Sequence, residues 1–217
     1  MKNLVDGFLT EEDRIKITGA VRRAEKATSG EIVPMVMSSS GRYPLSGVIG
    51  ALALSLPPAL AGAHFIGPLA GTGTRDMWVF LGLEILLFMS GYLLTVALPR
   101  LRRLFIPARE MDEAVRAAAL ASFYRKGLHR TRDETGVLIY VSLFERRVWV
   151  LGDRGINQKV GQDSWDEIVS IVTGGIKTGT QAEALCRAVE RTGQILAAHF
   201  PIQPEDRDEL PNLIEGE

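Results

Sequence analysis

The chain has 217 residues, 25 Lys+Arg against 26 Asp+Glu, and a pI near 6.3. That balance supplies no concentrated basic face for nucleic acid, and its single cysteine, Cys186, excludes an internal disulfide framework. Charge is unevenly spread: the 57 residues from Tyr43 to Pro99 hold only Arg75, Asp76 and Glu84, leaving 48 of 51 charges to the other 160 residues. One stretch therefore reads as lipid-soluble, the remainder as one soluble domain.

In chain order, Thr10-Glu-Glu-Asp13 is an N-cap with acids in the first turn, and Ile17, Ala20, Val21 and Ala24 follow at helical spacing. Ser29-Gly30 ends the run, which predicts a helix over about residues 10–28. Nothing before Ser40 resembles a secretory signal. Glu31 to Met37 is a short β run whose Pro34 belongs early in the strand or near an edge. Ser38-Ser39-Ser40-Gly41 leads into the apolar stretch.

Two transmembrane spans are expected there, near residues 45–68 and 77–98, because about 20 apolar residues cross the hydrocarbon layer. A turn from Gly71 to Asp76 joins them, and Tyr43 and Trp78 suit the interfaces. Pro57-Pro58 should kink the first span. A soluble hairpin of two buried helices is the other reading. Arg42 precedes the spans and Arg100, Arg102, Arg103 and Arg109 follow, against Arg75 in the turn. The positive-inside rule then gives a multi-pass protein of the cell (inner) membrane with both termini cytoplasmic. Glu84 is an intramembrane acid: it is satisfied as a neutral group in the hairpin, pairs with His64, or reaches a subunit interface in a homo-oligomer.

Beyond the spans, Met111, Val115, Ala119 and Phe123 mark a helix over 108–126. Val137 to Phe144 and Arg147 to Leu151 are strands joined by a hairpin at Glu145-Arg146. Asp163 caps a helix carrying Trp165, Ile168 and Val172, and Thr180-Gln-Ala-Glu183 is a capping box for another. The predicted fold is α/β, a three-layer-like sandwich around a small mixed sheet, interrupted by a two-helix transmembrane hairpin. Residues 1–42 and 100–200 are two parts of one domain, 43–99 the hairpin, and 201–217 an acidic disordered tail.

If the β hairpin turns between Phe144 and Glu145, paired residue numbers sum to about 289. Glu134 then faces Gly155, and Asp153 faces Gly136. Asp133, Glu134 and Asp153 converge at one end of the sheet, where three carboxylates suit Ca²⁺ or Mg²⁺, and Gly152 and Gly155 let carbonyls approach. Solvated loop acids are the competing reading. The opposite end feeds the membrane, so Arg146 and Arg147 join Arg42, Arg100, Arg102 and Arg103 in a basic collar at the lipid surface. Cys186 lies in a helix at the wrong distance from Arg191 for a cysteine phosphatase, and phosphate-loop and HExxH motifs are absent. Ser38, Ser39 and Ser40 offer hydroxyls without a visible base.

The runs Thr131 to Ser142, Glu145 to Ile156, Trp165 to Val169 and Gly193 to Phe200, with Leu9-Thr10 and Thr28 to Ile32, resemble the TPM domain family, often labelled TPM phosphatase. The resemblance implies low-level phosphatase activity, divalent-cation binding, and upkeep of membrane protein complexes. Two departures stand out: the hairpin interrupts the domain, and the usual acid-Asn-Gly before the second strand is Glu134-Thr135-Gly136, which lacks an amide oxygen. Two functions follow: a non-catalytic binding or maintenance module for another membrane protein, or a weak divalent-metal-dependent phosphatase.

Overall fold

Strand β1 (Glu31–Met37) lies parallel to β2 (Gly136–Ser142), with Glu31 beside Gly136 and Met37 beside Ser142. The crossover between them contains the whole apolar stretch. β2 runs antiparallel to β3 (Arg147–Gly152) with Val137 opposite Gly152, the register expected from the sequence. A fourth strand, β4 (Ile214–Gly216), adds to the free side of β1, giving the order β3-β2-β1-β4. This computed structural model describes residues 4–69, 76–131, 134–202 and 210–216.

β1 and β2 are buried on both faces, which is why they read as continuous apolar runs. On one face, Ile32, Val36, Val137 and Ile139 meet Ile17 and Val21 of α1 (Glu11–Glu25), Trp165 and Ile168 of α7 (Gln162–Thr178), and Leu185 and Val189 of α8 (Gln181–His199). On the other, Val33, Met35, Leu138 and Tyr140 meet Val115, Ala119 and Phe123 of α5 (Ala108–Arg125). The mixed sheet is thus sandwiched between helical layers. A fully buried aliphatic side chain contributes roughly 1.5–3 kcal/mol, so these two clusters supply the main drive to fold.

The apolar stretch forms α2 (Pro44–Leu69) and α3 (Asp76–Ala97), with a short α4 (Pro99–Leu104) packed on both. Together, Arg42–Met111 is a compact unit separate from Met1–Gly41 and Asp112–Glu217. α2 continues through Pro57-Pro58. The two helices meet through small side chains: a Cβ on Gly50 would lie 2.6 Å from Thr95 Cγ2, and Ala51 and Ala59 are fully buried. Leu, Ile, Phe and Met side chains point outward instead. Only 33% and 11% of the most apolar windows of α2 and α3 are buried, so neither is a core helix.

Three local expectations need correcting. α7 begins after Gly161, not at Asp163, and its N-cap makes no side-chain bond. Thr180 stands at the N-cap of α8 without a capping box, because its hydroxyl pairs with Thr178 Oγ1 at 2.9 Å. The tail is not wholly unstructured: β4 lies within it, while 203–209 are outside the described residues.

Candidate functional site

At the amino end of β2 the expected acid cluster is only partly assembled. Asp153 donates its N–H to Gly136 O at 2.8 Å, opposite Gly136 as the register requires, and its Oδ1 caps α6 (Arg154–Asn157) by accepting Arg154 N–H at 2.7 Å. Its Oδ2 is buried without a hydrogen-bond partner. Glu134 is exposed, with a φ of 52°. Asp133 lies outside the described residues. Gly152 O, expected to be open to a cation, accepts Asn157 Nδ2 at 2.6 Å. The Thr135 hydroxyl donates to Ser29 O at 3.0 Å, tying the β2 entry to that of β1.

Among the described residues no three His, Cys, Asp or Glu side chains form a group able to hold a metal. Calcium takes six to eight oxygens, so Asp153 Oδ2 and an exposed Glu134 do not make such a site by themselves. His129, one of three histidines scattered along the sequence, has an Nδ1 also buried without a partner, and its ring lies 5.0 Å from that of Tyr124. Tyr124, Phe123, Asp153 and Arg154 line a cavity of about 440 Å³. A lone His between turn residues carries no sequence signal for this placement.

The opposite end of the sheet holds a more complete constellation. Glu145 is fully buried in the β2–β3 turn. Its carboxylate accepts Ser39 Oγ–H at 3.1 Å, Ser40 N–H at 3.0 Å, Gly41 N–H at 3.1 Å and the Ser142 hydroxyl. Arg146, at φ 54°, gives the turn the backbone shape that follows this inward residue. Ser40 Oγ donates to Ser142 Oγ at 2.7 Å and lies 3.0 Å from the Tyr140 hydroxyl, whose pKa burial pushes up. Backbone bonds from Leu143 N to Met37 O and Phe144 N to Ser38 O join the same segments.

Chemically this is a lock. A carboxylate already accepting four donors from three serines and a glycine has its lone pairs committed, which leaves it poorly placed to take a proton from a nucleophile. What it does is satisfy the N–H groups of the chain as it leaves the sheet toward α2. The serine hydroxyls thus have an acid beside them after all, but one that positions backbone.

In the hairpin unit Glu84 pairs with Ser55, which donates to Oε1 at 2.7 Å, rather than with His64, whose ring packs edge-on against Phe65. Glu84 Oε2 is buried without a partner. Arg102 donates to Ser46 Oγ at 2.9 Å and Tyr43 O at 3.0 Å, bracing the start of α2, and Arg42 and Arg100 are exposed. In the α/β unit Arg147 pairs with Asp112 and Arg146 is exposed. Burial raises the pKa of the Cys186 thiol, with the Glu190 charge adding to it, so the thiolate needed for nucleophilic attack is disfavoured.

Residues 98–195 match the model of a family described as the TPM domain, a span from the end of α3 to α8 that omits α1, β1 and most of the hairpin. The chain also resembles the NMR structure of the BA42 protein from the psychrophilic bacterium Bizionia argentinensis. The TM-score is 0.60 at 24% sequence identity, covering 98% of each chain, a likeness of fold. No curated protein matches the chain in sequence.

Proposed function

We propose that the chain is a multi-pass protein of the cell (inner) membrane whose TPM-like α/β unit is a cytosolic, non-catalytic module that binds or maintains a membrane protein complex. The observation that carries this is the outward apolar surface of α2 and α3: Leu60, Phe65, Ile85, Leu86 and Leu93 are each more than half exposed. Leaving such side chains in water forfeits roughly 1.5–3 kcal/mol apiece, whereas lipid tails receive them without loss. Exposed Trp78 near the start of α3 and arginines on the cytoplasmic flanks agree with insertion, whereas Tyr43, expected at the interface, is buried in the protein.

The lipid bilayer and a second membrane protein are the partners, with a homo-oligomer as the further one. Arg42, Arg100, Arg102 and Arg103 beside the helices, and Arg146 and Arg147 on the β2–β3 turn, form the basic collar for anionic headgroups. The committed Glu145 and the disfavoured Cys186 thiolate support binding over catalysis. A second reading, weak hydrolysis of phosphate esters with Ca²⁺ or Mg²⁺, draws on the unpartnered Asp153 Oδ2 and would need Asp133 and Glu134 beside it.

The test is an assay of purified full-length protein on a phosphate ester with and without divalent ions, beside Asp133→Asn and Asp153→Asn. The module reading expects no metal-dependent turnover. Turnover lost in both variants would replace it with the phosphatase reading.

A further inference from the structure

The outer edge of β1 is guarded along most of its length and open in one window. Ile32 N–H is taken by Glu25 Oε1 at 3.1 Å, and Pro34 has no N–H to offer. Beyond Pro34 the edge is open to a further strand, and there β4 pairs with Met35–Met37, Ser38 N–H donating to Gly216 O at 3.0 Å. Edges left unguarded in native sheets recruit strands.

The tail is read by side chains as well as backbone. Leu213 packs into the cluster on the α1 face, while Leu210 and Ile214 pack into the cluster on the α5 face, so the segment straddles the sheet edge. Glu215 Oε2 accepts Arg14 Nε–H at 2.8 Å, a bond that raises the Arg14 pKa. Asn212 accepts from Arg22 at 3.1 Å and donates to Glu25 at 3.4 Å, the same carboxylate that guards Ile32. Gly216 fits where a Cβ would lie 2.7 Å from Met37 Cε. Yet the strand is three residues long, and residues 203–209 ahead of it contain no Val, Ile, Leu, Met or aromatic side chain. Ordering it costs backbone entropy that these edge bonds and side-chain contacts must offset.

We propose that Met35–Met37 of β1, with Arg14 and Arg22 of α1, is a strand-acceptor site that Ile214–Gly216 fills in cis as a displaceable plug, and that in trans it takes an extended apolar–acidic–glycine segment of a partner protein. Main-chain pairing gives such a site affinity, and the two apolar pockets and Arg14 give it sequence preference. The proposal rests on the binding-module reading and supplies its recognition surface. A tethered plug competes at millimolar effective concentration, so the wild-type chain holds trans peptides weakly until the plug is released.

The experiment uses the full-length chain in lipid nanodiscs and a fluorescent peptide of the sequence of residues 210–217. Leu213→Asp/Ile214→Asp removes the plug's apolar contacts and leaves the acceptor intact. It should bind the peptide about tenfold or more tighter than wild type, and adding Arg14→Glu should reverse that gain. Hydrogen exchange on wild type needs no variant: the Ser38 amide should exchange about tenfold or more faster than the Phe144 amide, and saturating peptide should slow it. Equal peptide affinity in wild type and the double variant, or equal protection of the two amides, would overturn the site. A wild-type dimer dissolved by the peptide would reassign the trans occupant to a second copy's tail. A partner cross-linked at Leu120 or Tyr124 with no peptide binding would sink the acceptor site and leave the module reading standing.

Discussion

The two units of this chain place the same large apolar residues in opposite directions. In Met1–Gly41 and Asp112–Glu217 the large apolar side chains turn inward onto both faces of a sheet, and among the described residues only Ile15, Leu120, Tyr124 and Ile202 stay exposed. In Arg42–Met111 the helices put Ala and Gly between them and display Leu, Ile, Phe and Met. Packing there comes from close backbone approach: a Cβ on Gly50 would lie 2.6 Å from Thr95 Cγ2, and one on Gly91 3.4 Å from Ala51 Cα. Hydrophobicity alone therefore does not say which way a residue faces; the size of the residue at the contact does.

The largest effect is expected at the sheet. Ile139→Asp places an unpaired charge at a fully buried position and should cost more than about 4 kcal/mol, seen as loss of cooperative urea unfolding in the α/β unit. Leu86→Ala on the exposed face of α3 should leave that transition where it was. If both changes shift it equally, the contrast between the units fails.

Glu145→Ala comes next. It strands the N–H groups of Ser40 and Gly41 and two hydroxyls, for an expected loss of about 3–5 kcal/mol in the same unfolding assay. Glu145→Gln should cost less, since the amide oxygen keeps part of the set. In the hairpin, Ser55→Ala removes the donor to Glu84 and should destabilise α2–α3 by about 1 kcal/mol in SDS titration.

The smallest effect is at the start of α1. Thr10 donates through both N–H and Oγ to Asp13, and these bonds lower the Asp13 pKa. A depressed carboxyl pKa stabilises the fold above the unfolded value near 4 and loses that contribution as pH falls through the folded one. Thr10→Ala should cost about 1 kcal/mol at neutral pH, and the cost should shrink in acid, as read by thermal unfolding at pH 7 and pH 3.

Periodicity made much of this legible. The β2–β3 register, the parallel pairing across the inserted hairpin, the start of α1 and the bounds of α5 all follow from alternation and spacing that local backbone geometry enforces, although α1 ends at Glu25 and not near residue 28. Glu145 was illegible because a charge in a two-strand turn ordinarily faces water; only the arrival of Ser39, Ser40 and Gly41 from a distant segment makes its burial tolerable. β4 was illegible for a similar reason. Its acidic surroundings give no local reason to fold, and its pairing depends on a sheet edge about 180 residues away in sequence. The acid end was half legible: register placed Asp153 opposite Gly136, but spacing does not reveal that Asn157 occupies the Gly152 carbonyl.

If α2 and α3 cross a bilayer, both flanks must lie on the same side of it, because β1 and β2 pair in one sheet. In a Cys186→Ser background, single cysteines at Glu11, Thr72, Leu86 and Ser170 can be challenged with a membrane-impermeant maleimide in vesicles of both orientations. The Glu11 and Ser170 positions should be labelled from the cytoplasmic face, Thr72 only from the opposite face, and Leu86 from neither. Labelling of all four from one face, with the protein released by alkaline carbonate, would contradict the crossing.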